Sequence, residues 1–331
     1  MTTILITGGH SGIGLAAATE FAARKVDLIL AGRSPDRMQA VADELRAAHG
    51  ASVTTLASDL SCLASVRAAA RQLSVTKLDA LLCNAGGRFD GDVTFSPDGY
   101  ETTFATNCLG HFLLVELLLP HLAENGRVVY TASGTHDPDT MDGRMVGASA
   151  EPDAVALATN DKALSAGKRY STSKLCTVMY AYEPHRRLRR AGSTVSSIAY
   201  DPGSVPETGF LRGMPRPVQI FSTSRAMKWV SRRIGITVSD VAFSGASLAT
   251  LATGPDYAAA SDKYFQAQEG NLSAVRSAKL SYDERRTAKL RDDSRRLVHL
   301  TPDGEPAQLR WPPAVSRPDP WILSVCGSLA S

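Results

Sequence analysis

The chain has 331 residues, 44% of them hydrophobic and 21% charged, with a formal net charge of +3. That composition suits one large α/β domain or two small ones, and either can bury a sizeable core. So small a net charge gives no reason to expect nucleic acid or an anionic membrane as a partner. The five cysteines, Cys62, Cys83, Cys108, Cys176 and Cys326, make no CxxC and no His/Cys ligand cluster. Reduced thiols in a cytoplasmic protein are therefore expected, with no disulfide framework and no metal. Met1-Thr2-Thr3 lacks a charged n-region and the first apolar run is short, so no signal peptide is expected. No apolar stretch approaches the length of a transmembrane segment; Phe112 to Leu119 is interrupted by Glu116 and reads as buried helix.

Six apolar runs read as strands: Thr3–Thr7, Leu28–Ala31, Val53–Ala57, Leu78–Cys83, Arg127–Thr131 and Val195–Tyr200. Most are continuous rather than alternating, the mark of strands covered on both faces. Helical segments lie between them. Ser34-Pro35-Asp36 supplies a cap and a first-turn proline for a helix over 37–48. Ser96-Pro97-Asp98 predicts the same for a long helix ending near His121. This alternation predicts a doubly wound, Rossmann-type parallel sheet in a single domain over 1–300. Two long segments break the rhythm, 134–168 and 204–238, and are expected to form loops on the substrate side. Pro184 falls ten residues past Lys174 in one helix, where a kink or an early helix end is expected. The segment 301–331 is rich in proline and reads as a poorly ordered tail.

The first strand runs into Thr7-Gly8-Gly9-His10-Ser11-Gly12-Ile13-Gly14. A glycine turn leading into a helix start makes an anion site, because the helix offers free N–H groups and a partial positive charge. Gly8 tightens the turn, Gly12 lets the backbone approach a pyrophosphate, and Gly14 allows helix and strand to pack closely. A purely structural turn would also account for the glycines. The second strand ends Ala31-Gly32-Arg33: Gly32 stands where an acid would select NAD and Arg33 follows with a guanidinium suited to a phosphate, so NADP(H) is favoured, though a solvated arginine at a helix start would look the same.

Tyr170 and Lys174 are four apart and share a helix face. An ammonium about 4 Å from a phenol, at an effective dielectric of about 20, favours phenolate by at most about 4 kcal/mol, or three pKa units. That would bring a tyrosine into the range of acid–base catalysis; a surface Tyr/Lys pair has the same spacing. Ser133 ends a central strand, where a hydroxyl could hold a carbonyl or cap a turn. Asn107 lies inside the long helix, where a polar residue on one face is the plainer reading.

Together these motifs resemble the short-chain dehydrogenase/reductase superfamily, from Thr3 to about Val298. The resemblance implies cofactor contacts from Gly8, His10, Ser11, Gly12, Ile13, Gly14 and Arg33. It adds Asp59 and Leu60 at adenine, Asn84-Ala85-Gly86 beside the ribose, and Pro202, Gly203 and Thr208 near the nicotinamide. It implies Asn107, Ser133, Tyr170 and Lys174 as the catalytic set. Tyr170 would donate the proton, Lys174 would lower its pKa and bind the nicotinamide ribose, Ser133 would orient the carbonyl, and Asn107 would hold a water.

Thr106–Leu114, Ala31-Gly32-Arg33 and Thr208–Arg212 are most similar to the retinol-dehydrogenase-like and protochlorophyllide-oxidoreductase-like branch. Ser204 stands where the protochlorophyllide enzymes carry a cysteine. The implied activity is carbonyl–alcohol redox on a bulky hydrophobic small molecule. A C=C reductase and a non-catalytic NADP(H) sensor are the alternatives. Phe210, Leu211, Met214, Val218, Ile220, Phe221, Met227 and Trp229 could roof an apolar pocket. A monomer and a homo-oligomer both fit the sequence.

Overall fold

A computed structural model describes residues 2–74, 76–205, 233, 236–268, 270–301, 306 and 309–310. In chain order the elements begin β1 (Thr3–Thr7), α1 (Gly12–Ala23), β2 (Asp27–Gly32), α2 (Pro35–His49), β3 (Val53–Ala57), α3 (Leu63–Gln72) and β4 (Leu78–Cys83). Next come a long helix α4 (Thr102–His121) and β5 (Leu122–Thr131). Then follow α5 (Met141–Val146), α6 (Ala154–Thr159), α7 (Ala166–Arg190), β6 (Ser196–Asp201), α8 (Val241–Thr253), β7 (Tyr264–Gln268), β8 (Asn271–Val275) and α9 (Glu284–Leu297).

The strands form one sheet in the order β3-β2-β1-β4-β5-β6-β7-β8, parallel except for the final β7–β8 pair. Successive residues feed opposite cores. Ile4, Ile6, Leu28 and Leu30 pack with Phe21, Leu45 and Leu248 on one face. Leu5, Ile29 and Ala31 pack with Val66, Leu113 and Leu175 on the other. Coverage on both faces is why the strands read as continuous apolar runs. The doubly wound parallel sheet is as the sequence predicts. Its last two strands went unread, because β7 (YFQAQ) is interrupted by two glutamines and β8 is a largely exposed edge.

Three local readings are corrected. Ser96-Pro97-Asp98 starts no helix. The Asp98 carboxylate instead accepts the Leu63 N–H at the start of α3 (2.8 Å), and α4 opens at Thr102, capped by Glu101 through the N–H groups of Thr103 and Phe104. Segment 134–168 is not a bare loop: it holds α5 and α6, capped by Thr140 and Asp153, and α7 begins within it. Pro184 does not end α7 early: the helix runs 25 residues through it. The proline removes one backbone bond, but buried ties hold the helix on both sides. Glu183 pairs with Arg187 (2.7 Å) and Arg186 (2.8 Å), and the hydroxyls of Tyr180 and Tyr182 bond Ser294 and Ser277.

By length and composition α4 could cross a membrane, which the sequence reading discounted; it is mostly buried as the central helix of this fold. Leu309, inside the segment read as a tail, is fully buried in the core. Thr208, the apolar residues of 210–229 and most of the proline-rich segment lie outside the described residues.

Candidate active site

The first βα turn is closed by contacts that only glycine permits. Gly8 and Gly12 have φ of +69° and +53°. A Cβ on Gly14 would lie 2.4 Å from the Gly8 carbonyl oxygen and 2.6 Å from Asn84 Nδ2. Opposite the turn, Thr7 Oγ1 accepts the N–H groups of Asn84 (2.9 Å) and Ala85 (3.0 Å), and Asn84 Nδ2 donates to the Thr7 carbonyl (3.0 Å). Ser11 precedes α1 in extended conformation without capping it through its side chain. The first-turn N–H groups of α1 are thus left for another acceptor. Ile13 packs into the core behind them.

At the end of β2, His10 lies against Gly32, and its Nδ1 is buried without a partner. Burial, then the charges of Arg37 and Arg33, hold the His10 pKa below its ordinary value. Two exposed guanidiniums therefore converge here; the sequence reading named Arg33 and missed Arg37, one helical turn on. Ser58 Oγ is likewise buried without a partner. The Asp59 carboxylate holds the turn, accepting the N–H (2.9 Å) and hydroxyl (2.7 Å) of Ser61. Leu60 lies beneath Gly110, whose Cβ would come 2.2 Å from the Leu60 carbonyl oxygen. A glycine cradle, free N–H groups, two arginines and two orphaned polar atoms fit a phosphorylated dinucleotide.

Asn107, Ser133, Tyr170 and Lys174 meet beyond the carboxyl ends of β4 and β5. Tyr170 and Lys174 lie one turn apart on α7, both buried. Lys174 Nζ donates to the Thr131 carbonyl (2.8 Å) and lies 5.7 Å from the centroid of the Tyr170 ring. Burial pushes Tyr170 up to about 12, against a downward pull from its hydrogen bond to Ser133, and burial brings Lys174 down to about 8. The lowered Tyr170 pKa argued from the spacing is not found: burial is the largest influence, and after the Ser133 bond the charges acting on it are Asp201, which raises it, and Arg88, which lowers it.

Asn107 occupies a π-helical turn of α4, Ala105–Leu109. Its Oδ1 accepts the Gly87 N–H and its Nδ2 donates to the Gly87 carbonyl and to Ser173 Oγ, each at 3.0 Å. A Cβ on Gly86 would sit 2.8 Å from Asn107 Oδ1 and 3.8 Å from Lys174 Nζ, so Gly86 packs directly on these two residues. One turn on, the buried His111 bonds Thr7 Oγ1 through Nε2 (2.9 Å) and the Asn107 carbonyl through Nδ1 (3.3 Å). Burial first holds its pKa down, to about 4. The ring is therefore neutral, and it ties the phosphate turn to the Asn107 turn.

The wall beyond Ser133 is acidic. Gly134 lies between two carboxylates: its Cβ would be 3.0 Å from Asp142 Oδ2 and 3.1 Å from Asp201 Oδ2. Asp201 accepts the N–H of Gly203 (2.9 Å) and Gln266 Nε2 (2.9 Å). Gly203, at φ +75°, turns the chain after Pro202, whose carbonyl accepts Ser244 Oγ (2.7 Å). Asp142 accepts the Thr237 N–H (3.3 Å), and burial raises its pKa to about 6, aided by Asp201. Asp201 could have been suspected from its place before Pro202-Gly203; Asp142, inside the insertion, gave no sequence signal.

Residues 2–146 match the short chain dehydrogenase family model. Over 210 residues the chain is 34% identical to a provisionally named daunorubicin C-13 ketoreductase, DnrU, of a Streptomyces species, covering 61% of this chain and 66% of that protein. Over 209 residues it is 34% identical to polyprenol dehydrogenase of Mus musculus, covering 61% and 59%. The chain thus spans between about half and two thirds of the length of the curated relatives it matches. A solved structure of an uncharacterized protein from Mycobacterium paratuberculosis has 26% identity and a TM-score of 0.67 over 90% of this chain and 94% of its own. A blue fluorescent protein from a metagenomic library, solved with NADPH, shares the fold at 19% identity and a TM-score of 0.60, over 81% of this chain and 97% of its own. The chain belongs to the short-chain dehydrogenase/reductase superfamily, on its retinol-dehydrogenase-like side.

Proposed function

We propose that this protein is an NADP(H)-dependent oxidoreductase that interconverts a carbonyl and an alcohol on a bulky hydrophobic substrate. The observation that carries this is the meeting of Ser133, Tyr170 and Lys174 beside the glycine cradle. When bound, the nicotinamide supplies or accepts the hydride. Gly8, Gly12, Gly14 and the free N–H groups of α1 would hold its pyrophosphate, and Lys174 would hold the nicotinamide ribose. Tyr170 gives its proton to the carbonyl oxygen in reduction and takes it back in oxidation. Ser133, hydrogen-bonded to Tyr170, orients the same oxygen.

The preference for NADP(H) rests on Arg33 and Arg37 flanking His10 at the end of β2. The names of two relatives, a ketoreductase and a polyprenol dehydrogenase, support carbonyl–alcohol chemistry. The apolar character of the substrate is supported by Met141 and Met145, which are exposed on one face of α5, the helix just beyond Ser133.

The test follows NADPH absorbance over a panel of bulky aromatic ketones, aldehydes and quinones, with NADH and Tyr170→Phe alongside. Turnover with NADPH that falls roughly 10²–10⁴-fold in Tyr170→Phe is expected for loss of the general acid. Turnover that survives the substitution overturns the mechanism.

A further inference from the structure

Three residues beyond Ser133, His136 is almost wholly buried, and both of its ring nitrogens are engaged. Nδ1 lies 2.8 Å from the Ser133 carbonyl oxygen, and the Ala278 N–H donates to Nε2 at 3.0 Å. A carbonyl can only accept and a peptide N–H can only donate. The ring is thereby fixed as the neutral tautomer with its proton on Nδ1. Turning it over would place carbon against both partners, and protonating it would set two N–H groups against each other. Burial holds its pKa below the ordinary value, in keeping with a ring that stays uncharged. The ring also packs against Tyr264 of β7, centroids 4.8 Å apart.

The Ser133 carbonyl receives a second bond, from the His136 backbone N–H (3.1 Å). Both of its lone pairs are then occupied, so the Ser133–Gly134 peptide cannot rotate without breaking a buried bond. That peptide carries the Ser133 hydroxyl, which is hydrogen-bonded to Tyr170. The far anchor, Ala278, is 142 residues away in the connection between β8 and α9.

We infer that His136 is a positioning residue for Ser133, locking its peptide so that the hydroxyl faces Tyr170, and that it draws this rigidity from the C-terminal β8–α9 connection. The inference rests on the carbonyl–alcohol reading of the site. It adds a role for a side chain that touches neither substrate nor cofactor.

Two variants separate the two bonds. In His136→Asn the carboxamide nitrogen falls where Nδ1 was and keeps the bond to Ser133 while giving up Ala278. In His136→Gln the longer carboxamide reaches the Ala278 N–H and gives up Ser133. Both should lose thermal stability to a similar degree. His136→Asn should keep kcat within a few-fold. His136→Gln should lose kcat on the order of 10²-fold, the effect of a misplaced catalytic group, with its Kd for NADPH unchanged. Equal kcat in the two variants, or kcat that follows Tm, overturns the role.

If the wild-type protein binds NADPH but turns over nothing in the panel, the carbonyl–alcohol reading fails first. The positioning role is then decided by crystal structures of both variants. Ser133 Oγ should stay in place in His136→Asn and move in His136→Gln; a fixed Oγ in both overturns it. Should neither variant fold, ¹⁵N NMR of the wild-type ring decides. A neutral Nδ1–H tautomer from pH 5.5 to 8 is required, and an Nε2–H tautomer or a titrating ring overturns the inference.

Discussion

Asn107 and Gly87 hold each other by two hydrogen bonds, Gly87 N–H to Oδ1 and Nδ2 to the Gly87 carbonyl, each 3.0 Å. The π-helical turn at Ala105–Leu109 makes this reach possible, turning the asparagine toward the strand-end loop of β4. Its carboxamide is thus occupied in fixing the loop that packs beside Lys174. Asn107→Asp removes both donations from Nδ2 and sets a carboxylate against the Gly87 carbonyl in a buried place. Stability should fall by about 3 kcal/mol, measurable by urea unfolding. kcat/KM should fall with it, because the Lys174 surroundings shift. An aspartate variant with wild-type stability would show that the side chain fixes nothing.

What could be read from sequence was local. Gly8, Gly12 and Gly14 declare themselves because a positive φ or a close approach tolerates no other residue there. Tyr170 and Lys174 declare themselves by a spacing of one helical turn, and Ser133 by ending an apolar run. What could not be read depends on distant partners. Asp98 looks like a first-turn acid of its own helix, yet its carboxylate accepts the Leu63 N–H at the start of α3, 35 residues back. Pro184 looks like a break, yet contacts to Ser277 and Ser294 hold the helix through it. Asp142 and His136 matter because of Thr237 and Ala278, which no local pattern connects to them.

Asp142 makes stability depend on pH in a defined direction. Its carboxyl titrates at 3.8 when unfolded and at about 6 in the fold, where burial, then the charge of Asp201, resists ionisation. Below pH 4 both states are protonated and nothing is lost. Between pH 4 and 6 the unfolded chain ionises and the folded one resists, so stability falls as pH rises; above 6 the loss is constant. Asp142→Asn keeps an acceptor for the Thr237 N–H and removes this loss. Its Tm should exceed that of the wild type at pH 8 and match it near pH 4. A Tm difference that does not change with pH would dismiss the charge as the cause.

Glu116, which interrupts the most apolar stretch of the sequence, is the centre of a buried ion cluster. Its carboxylate accepts Arg291 Nη2 at 2.8 Å and Arg295 Nη1 at 2.5 Å, joining α4 to α9. Both arginines and the glutamate are buried. Removing one member of such a cluster leaves charge without compensation, so Glu116→Ala should cost about 3–5 kcal/mol of stability. Chemical denaturation measures it. A loss below 1 kcal/mol would mean that water or another group neutralises the two arginines.

Cofactor choice should follow Arg33 and Arg37. Both guanidiniums are exposed at the end of β2, and their positive field reaches His10, whose pKa falls chiefly through burial and then through Arg37 and Arg33. A 2′-phosphate there would gain charge-assisted hydrogen bonds that a 2′-hydroxyl cannot form. Because the pair is exposed, salt screens it. Arg33→Ala and Arg37→Ala should each weaken NADPH binding roughly 10-fold, the low end for a bond to a charged group, with NADH binding little changed. Fluorescence titration of the bound nicotinamide reads both constants. The gap between NADPH and NADH should narrow in the wild type as salt is raised from 50 to 500 mM. Equal losses for the two cofactors would move the arginines' contact from the 2′-phosphate to the pyrophosphate, which both share, and with it the claim of selectivity.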